Sequence, residues 1–318
     1  MQVIFWIAGA LVLLAAVIGA ILFLCACGRR KEKRWLDPSA LAGGSLEQHA
    51  ASIQAAHKWL EDHRTEDVSI TSFDGFQLHA RWIPAEDPKG TVLLAHGYRS
   101  TPYLDFGLVL EMYHSLGMNM LIPDQRCHGS SQGRYITFGV KESRDMFDWV
   151  AYHNANLSSC EVILSGLSMG ASTVLYMADM ALPENVKGII ADCGFTSPKA
   201  IISYVFQRIT HLSAKPFIWA TDICARLFAG FWLGEKDTRR SLKETSLPVI
   251  LVHGLADDFV PAAMSRQGYD ACVSEKQLLL VENASHGYSY LVDKDRYTAL
   301  VLAFLHKNLE GFCELRDN

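Results

Sequence analysis

Three side chains that can act together in nucleophilic catalysis occur along the chain in the order Ser168, Asp257 and His286. A neutral serine hydroxyl is a poor nucleophile, so it needs a base to take its proton and a carboxylate to orient that base. We therefore predict Ser168 as the nucleophile, His286 as the general base and Asp257 as the carboxylate. Asp258 directly follows Asp257 and is the alternative carboxylate.

The serine lies in the stretch 166–170, which reads GLSMG, between an apolar run at 161–164 and a helical pattern at 171–180. A sharp turn from a strand into a helix holds such a serine in a strained conformation, where bulky neighbours would collide. The N-terminus of the following helix favours negative charge near the serine. A plain structural turn is the alternative, but the aspartate and histidine favour a nucleophile elbow with Gly166 and Gly170 as its small residues.

Several short stretches have the apolar pattern of strands, and longer helical patterns separate most of them. They are residues 68–70, 77–83, 91–95, 118–122, 161–164, 186–191, 248–252 and 277–281. The first two flank Asp74-Gly75 and predict a hairpin, whereas the continuous runs predict a parallel sheet covered by helices on both faces. Ser168, Asp257 and His286 each follow a strand, so we expect them at the carboxyl edge of this sheet.

One connection is much longer than the others, with more than fifty residues between the predicted strands at 186–191 and 248–252. A structureless loop of that length is improbable in a compact domain, so we predict a helical insertion over the sheet at about residues 196–247. Its aromatic residues include Phe206, Phe217 and Trp219. They either pack within the insertion, line an apolar substrate pocket or contact lipid.

The N-terminus has no charged residue from position 3 to position 27, and a basic stretch follows at 29–34. As a helix, this segment measures about 37 Å, enough to span a hydrocarbon core of about 30 Å. Basic residues after the segment predict an uncleaved single-pass anchor with the rest of the chain on the cytoplasmic side. The alternative is a cleaved signal of the lipoprotein kind ending near Cys25 or Cys27, and these two thiols could also be acylated beside the membrane.

We therefore divide the chain into an anchor at 1–28, a basic juxtamembrane linker at 29–44 and one α/β domain at 45–318. The formal net charge of −5 provides no footprint for nucleic acid, which needs a basic face. The other six cysteines are scattered, without a Cys-x-x-Cys pair or a His-Glu-x-x-His spacing. This pattern predicts free thiols in a reducing compartment and no metal site.

The motifs together resemble those of the α/β-hydrolase superfamily, in the broad group of serine aminopeptidase-like and monoacylglycerol-lipase-like enzymes. The matching pieces span most of residues 68–308 and are His96-Gly97, 124–129, 166–170, the Asp257 stretch and the His286 stretch. The resemblance implies an α/β-hydrolase fold with a mostly parallel eight-stranded sheet, a lid inserted after the sixth strand at about 196–247, and no cofactor. It also implies an oxyanion hole made by the backbone N–H groups of Tyr98 and Met169.

Other polar residues at strand ends are expected to brace turns rather than react. They are His96, Asp124, Arg126, His128 and His253. Cys127 stands where related stretches usually carry Gly or Ala, and we interpret it as a substitution in a structural turn.

The sequence thus predicts a membrane-anchored serine hydrolase that cleaves carboxylic esters with an apolar acyl or alcohol part. The aromatic insertion and the anchor are the reasons for expecting an apolar substrate. Thioester, amide or peptide hydrolysis would use the same triad and stays an alternative. A non-catalytic scaffold tethered to the membrane is the alternative outside enzymology, although such a protein would be expected to lack a member of the triad.

Overall fold

The computed structural model of the chain describes residues 2–30, 50–63 and 65–312. The predicted linker at 29–44 therefore lies outside the described residues, apart from Arg29 and Arg30. The strands are β1 (Glu66–Thr71), β2 (Gln77–Ile83), β3 (Gly90–Ala95), β4 (Met118–Pro123), β5 (Val162–Leu167), β6 (Val186–Asp192), β7 (Val249–Gly254) and β8 (Lys276–Val281). The α-helices are α1 (Gln2–Cys27), α2 (Ala50–Asp62), α3 (Pro102–Ser115), α4 (Glu142–Tyr152), α5 (Met169–Tyr176), α6 (Pro198–Thr210), α7 (Lys215–Cys224), α8 (Thr238–Ser241), α9 (Ala262–Ala271), α10 (Ser289–Val292) and α11 (Lys294–Asn308).

The strands form one eight-stranded sheet in the order β1-β2-β4-β3-β5-β6-β7-β8. β2 pairs antiparallel with β1 and β4, and all other neighbours pair parallel. The predicted mostly parallel sheet and the hairpin around Gly75 are both confirmed. The carboxyl ends of the parallel strands consequently lie along one edge, where the loops that follow them meet.

Helices cover both faces of the sheet because its central strands are apolar on both sides. On β3, Val92 and Leu94 pack in one core cluster with residues of α3 and α11. Leu93 and Ala95 point the other way and pack in a second cluster with residues of α4 and α5. This alternation with a period of two is the geometry of a strand, and burial on both faces explains the continuous apolar runs.

The long connection between β6 and β7 is helical, as the sequence predicts. It holds α6, α7, a π-helical turn at Ala225–Ala229 and α8. Ser197 caps α6 by accepting a hydrogen bond from the Ala200 N–H, and Pro198 occupies the first turn, where a missing N–H costs nothing. The chain therefore begins this helix directly after the carboxyl edge of the sheet.

The N-terminal helix α1 has 26 residues and packs along α7. Its segment Ile4–Cys27 has a mean hydropathy of 2.9 and is long enough to cross a membrane. The helix ends against the globular part of the chain, where the Ile136 N–H donates to the Cys27 carbonyl at 2.7 Å and Gly28 bridges to Tyr135. The C-terminal end of α1 is thus an integral part of the folded domain.

Candidate active site

Ser168 lies at the turn from β5 into α5 and has φ +57° and ψ −116°. This conformation is rare for a residue with a side chain and requires its surroundings to hold it. A Cβ on Gly166 would stand 2.2 Å from the Gly170 carbonyl oxygen, and one on Gly170 would stand 1.7 Å from the Ala95 carbonyl oxygen. Only glycine fits at both positions, so the turn brings three backbone segments together around the serine.

The structure brings the three predicted catalytic side chains into one hydrogen-bonded row. The distance from His286 Nε2 to Ser168 Oγ is 2.9 Å, and the distance from His286 Nδ1 to Asp257 Oδ2 is 2.7 Å. The three residues come from the loops after β5, β7 and β8, which end at the same edge of the sheet. In this row Nδ1–H donates to the carboxylate and Nε2 is free to accept the serine proton.

The Asp257 carboxylate is held from several directions and is ionised. Oδ1 accepts the backbone N–H groups of Phe259 at 2.9 Å and Val260 at 2.8 Å. Burial would raise the pKa of Asp257, but hydrogen bonds from His253 and His286 outweigh it and hold this pKa well below its usual value. Asp258, by contrast, is exposed and pairs with Arg208 at 2.5 Å. Of the two adjacent aspartates, Asp257 is therefore the one in contact with His286.

His253 contacts the site, although its place at a strand end predicts only a structural role. Its Nε2 lies 3.1 Å from Asp257 Oδ2 and 2.9 Å from the Val260 carbonyl oxygen. Both neighbours are acceptors, so Nε2 carries the proton and Nδ1 accepts from the Ser265 hydroxyl at 2.7 Å. His253 is thus a positioning residue that orients the carboxylate of Asp257.

The loop after β3 lies beside Ser168, since a Cβ on Gly97 would stand 3.3 Å from Ser168 Cβ. The Gly97 N–H donates to Asp105 Oδ2 at 2.5 Å, and the Arg99 N–H donates to His128 Nε2 at 3.0 Å. Between them, the N–H of Tyr98 donates to no acceptor within residues 65–312. An N–H left unused on a loop that is fixed on both sides is suited to bind a developing oxyanion.

Asp105, which the sequence analysis did not single out, anchors this loop. It stands in the first turn of α3 and accepts the Ser100 hydroxyl at 2.5 Å as well as the Gly97 N–H. Burial raises the pKa of Asp105 to about 6, although these two hydrogen bonds act in the opposite direction. The only signal for it in the sequence is an acidic residue in a helix first turn behind the His-Gly pair.

The polar residues expected to brace turns do so. His96 Nε2 accepts the Gln125 N–H at 2.9 Å, and burial keeps the pKa of His96 well below its usual value, so the ring is a neutral acceptor. Arg126 is buried and pairs with Asp145 at 2.5 Å and with Asp74 at 3.0 Å. The hairpin turn between β1 and β2 is thereby tied to α4, away from Ser168.

Two cysteines near the site have unusual backbone conformations. Cys127 has φ +69° and Cys193 has φ +49°, a region that favours glycine. The positive φ at position 127 accounts for the Gly or Ala that related stretches usually carry there. The Sγ of Cys193 lies with ligand atoms of Asp257 and His286 within 4.8 Å. In this set His286 and Asp257 already bond each other, and burial and neighbouring carboxylates raise the pKa of the Cys193 thiol well above its usual value.

A cavity of about 360 Å³ opens at Ser168 and is almost entirely apolar. The insertion supplies one side of it through Ile201, Val205 and Ile209, all on α6. The residues of α1 in its lining are Leu22, Cys25 and Ala26. An apolar cavity that includes the Ser168 hydroxyl in its lining is suited to a chain-like apolar ligand that presents one reactive group.

A family model for the α/β hydrolase fold matches residues 90–214. The chain is 26% identical to the uncharacterized protein YqkD of Bacillus subtilis over 237 residues. This aligned region covers 74% of this chain and 77% of YqkD. It is also 26% identical over 243 residues to an uncharacterized membrane protein of Saccharomyces cerevisiae, covering 76% of this chain and 79% of the yeast protein. Both aligned regions cover most of this chain and most of the relative.

Solved structures show the same architecture. An esterase of Pyrococcus furiosus has a TM-score of 0.65 and 24% identity, over 79% of this chain and 94% of the esterase. An acylaminoacyl peptidase of Pyrococcus horikoshii has a TM-score of 0.59 and 16% identity, over 82% of this chain and 45% of the peptidase. The predicted α/β-hydrolase fold is therefore confirmed.

Proposed function

We propose that the chain is a serine hydrolase of the α/β-hydrolase superfamily and that it cleaves carboxylic esters. The observation that carries this proposal is the hydrogen-bonded row from Ser168 through His286 to Asp257, at 2.9 and 2.7 Å. A non-catalytic scaffold protein has no need for this set of hydrogen-bonded side chains at an open cavity. We therefore assign the three residues as nucleophile, general base and orienting carboxylate.

The proposed reaction has two halves that use the same groups. Ser168 Oγ attacks the acyl carbonyl carbon while His286 takes the serine proton, and Asp257 stabilises the resulting imidazolium. The N–H groups of Tyr98 and Met169 donate to the oxyanion, at about 3 kcal/mol per donor. His286 then gives the proton to the leaving alcohol as the ester C–O bond breaks. Water repeats these steps on the acyl-enzyme, which needs neither a metal ion nor a cofactor.

The apolar lining of the cavity supports an ester with an apolar acyl or alcohol part. Phe138 and Phe195 lie in this lining together with several apolar residues of α6. A small polar ester would leave this surface in contact with water, whereas an alkyl chain removes it at about 25 cal/mol per Å². The rate should therefore increase with the length of the alkyl chain.

We also propose that α1 is a single-pass anchor, with the hydrolase domain on the cytoplasmic side. The charge-free helix, the basic residues after it and the similarity to a yeast membrane protein support this location. On this assignment residues 1–28 are the anchor, 29–44 the linker and 45–318 the hydrolase domain, with a lid at about 196–247.

The test is covalent labelling of the full-length protein in detergent with a fluorescent fluorophosphonate, followed by a panel of 4-nitrophenyl esters from acetate to palmitate. Ser168→Ala should abolish labelling and reduce turnover by at least about a thousandfold. Ser165→Ala is the matched control, because Ser165 lies on β5, just before Ser168, and its hydroxyl makes a long contact of 3.4 Å with Tyr113. Absence of labelling in a folded wild type would contradict the proposal.

The same panel distinguishes ester hydrolysis from its chemical alternatives. Thioesters and 4-nitroanilides with matched acyl chains should be cleaved more slowly than the esters if the proposal is correct. A higher kcat/KM for the anilides would instead indicate an amidase or peptidase that uses the same groups.

A further inference from the structure

The helix α1 contributes directly to the cavity that contains Ser168. Leu22, Cys25 and Ala26, on its last turns, line the same space as the serine. Another part of the cavity lining comes from α6, where Ile209, near the C-terminal end of the helix, is 73% exposed. The anchor is therefore one wall of the substrate site as well as an attachment to the membrane.

The end of α1 is held rigidly in this position. The guanidinium of Arg99 donates to the carbonyl oxygens of Cys25 at 2.6 Å and Gly28 at 3.1 Å. The Tyr98 hydroxyl donates to the Ala26 carbonyl at 2.7 Å. These donors satisfy carbonyls that a helix C-terminus leaves unpaired, and the cation complements the helix dipole. A movement of α1 away from the domain would break all three bonds.

Helix α7 packs closely against α1 in the part that would lie in the membrane. A Cβ on Gly19 would stand 2.5 Å from Ala220 Cβ, and the Thr221 hydroxyl donates to the Gly19 carbonyl at 3.2 Å. Nearer the C-terminal end of α1, the ring centroids of Phe23 and Phe228 are 5.9 Å apart. Small residues and a hydroxyl at a close crossing are typical of helices that pair within a bilayer.

The length of α1 determines how deep this contact lies. The 24 residues of Ile4–Cys27 measure about 36 Å, which exceeds a hydrocarbon core of about 30 Å by about 6 Å. Gly19 lies eight residues before Cys27, so it is about 12 Å from the C-terminal end of the helix. If all of this excess of about 6 Å protrudes from the membrane at the C-terminal end of α1, Gly19 still lies about 6 Å inside the hydrocarbon core. Helix α7 must then enter the membrane with it.

The exposed residues of the insertion suit this environment. An apolar shoulder consists of the exposed side chains Ile209, Leu212, Trp219, Ile223, Leu227 and Phe228. Phe228 of this shoulder packs against Phe23, which is buried on α1, so the shoulder lies next to the N-terminal helix. Arg226, on the π-helical turn that follows α7, is the kind of cation that extends to lipid headgroups. A bilayer leaflet is the occupant that covers both surfaces at once.

We propose that the substrate is a long-chain fatty acyl ester carried by a membrane lipid, whose acyl chain enters the cavity from the adjacent leaflet between α1 and α6. This inference rests on the proposed serine-hydrolase function and extends it to the source of the substrate. Ser168 Oγ forms a bond to the acyl carbon, the ester C–O bond breaks, and the alcohol takes the proton from His286. Water then releases the fatty acid.

The contribution of α1 is tested with full-length protein in nanodiscs, using 4-nitrophenyl acetate, dodecanoate and palmitate. Leu22→Trp fills the cavity from the anchor, so the ratio of kcat/KM for dodecanoate to that for acetate should fall about tenfold. Leu22→Ala enlarges the cavity and should raise the ratio for palmitate. Leu24→Trp is the matched control, because Leu24 is on the same helix and 57% exposed. An unchanged ratio in both Leu22 variants would overturn the proposal.

Entry from the leaflet is tested with 1-oleoylglycerol in vesicles of a dialkyl ether phosphatidylcholine, which contain no competing ester. Ile223→Asp and Leu227→Asp place charge on the apolar shoulder, so the rate on the vesicle ester relative to acetate should fall at least tenfold. Val273→Asp changes another exposed apolar residue, which follows α9 outside the insertion, and should keep the wild-type ratio. Equal ratios in all variants would overturn entry from the leaflet. Fluorophosphonate labelling of Ser168 in each sample distinguishes that outcome from failure of the serine-hydrolase function itself.

Discussion

The side-chain hydroxyl of Tyr98 donates a hydrogen bond of 2.7 Å to the backbone carbonyl of Ala26. This bond joins the loop after β3 to the last turn of α1. The Tyr98 ring also stacks on Phe138 with the ring centroids 5.2 Å apart, so the side chain is held at both its ring and its hydroxyl. The N-terminal helix and the proposed oxyanion hole therefore form one structural unit.

Tyr98→Phe should slow the enzyme without removing any catalytic group. The variant keeps the backbone N–H of Tyr98 but loses the bond to Ala26, at a cost to stability of about 1 kcal/mol. Because the loop then holds the N–H less firmly, we expect kcat on a short ester to fall about three- to tenfold. Tyr152→Phe, on α4, is the control and should retain wild-type kcat. Identical kcat values for the two variants would show that α1 does not support the loop.

Asp105→Asn should change how stability depends on pH. The pKa of Asp105 is raised to about 6 in the folded chain, against about 3.9 for an unfolded one. The folded state therefore binds this proton more tightly, and the stabilisation is complete below pH of about 4 and lost as the pH rises through about 6. Over this pH range the contribution of Asp105 to the free energy of unfolding falls by up to about 3 kcal/mol.

The variant cannot titrate, so its Tm in detergent should fall less than that of the wild type between pH 4.5 and pH 7. Its kcat should also be lower, because an amide cannot accept both the Gly97 N–H and the Ser100 hydroxyl as a carboxylate does. Asp270→Asn, an exposed change on α9, should keep the wild-type pH dependence. Parallel Tm profiles for the wild type and Asp105→Asn would disprove this account of Asp105.

Gly170→Ala should be severely destabilising. The added Cβ would stand 1.7 Å from the Ala95 carbonyl oxygen, on a central strand that cannot retreat. We expect a loss of more than about 4 kcal/mol or failure to accumulate folded protein. Gly234→Ala, where a Cβ would meet nothing within 4 Å, should stay within about 1 kcal/mol of the wild type. Comparable Tm values for the two variants would refute the packing described around Ser168.

The two adjacent aspartates should respond differently to the same substitution. Asp257→Asn replaces the acceptor of His286 Nδ1–H and should lower kcat by about 10⁴-fold, because the imidazole then adopts the wrong tautomer. Asp258→Asn removes only a surface ion pair with Arg208, and kcat should stay within about twofold. Equal losses in the two variants would argue against the assignment of Asp257.

Much of this architecture could be predicted from sequence because strands and nucleophile turns have short-range signals. The continuous apolar runs predicted the parallel sheet, and the glycines on either side of Ser168 predicted the elbow. The sequence favoured Asp257 but left Asp258 as an alternative, since the two are identical in type and differ only in which way the chain turns after β7. In the structure Asp257 contacts His286. Asp105 could not be predicted from the sequence either, because a single acidic residue in the first turn of a helix is common.

The docking of α1 had no signal of its own. Membrane insertion accounts for every apolar residue of that helix, so the face that contacts α7 looks like the faces that contact lipid. Gly19 and Ala220 meet across more than 200 residues of chain, and the bonds from Tyr98 and Arg99 go to backbone carbonyls, which every residue has. Long-range contacts of this kind leave no trace in composition or periodicity.

The most direct test of the central claim is to trap the acyl-enzyme. Full-length protein turning over 4-nitrophenyl dodecanoate would be quenched in acid, digested and analysed by mass spectrometry. We predict that the peptide containing Ser168 gains the mass of the dodecanoyl group, and that Ser168→Ala shows no adduct and no turnover. An adduct on another residue, such as Cys25 in the cavity wall, or ester consumption that persists in Ser168→Ala, would contradict the assignment of Ser168 as the nucleophile.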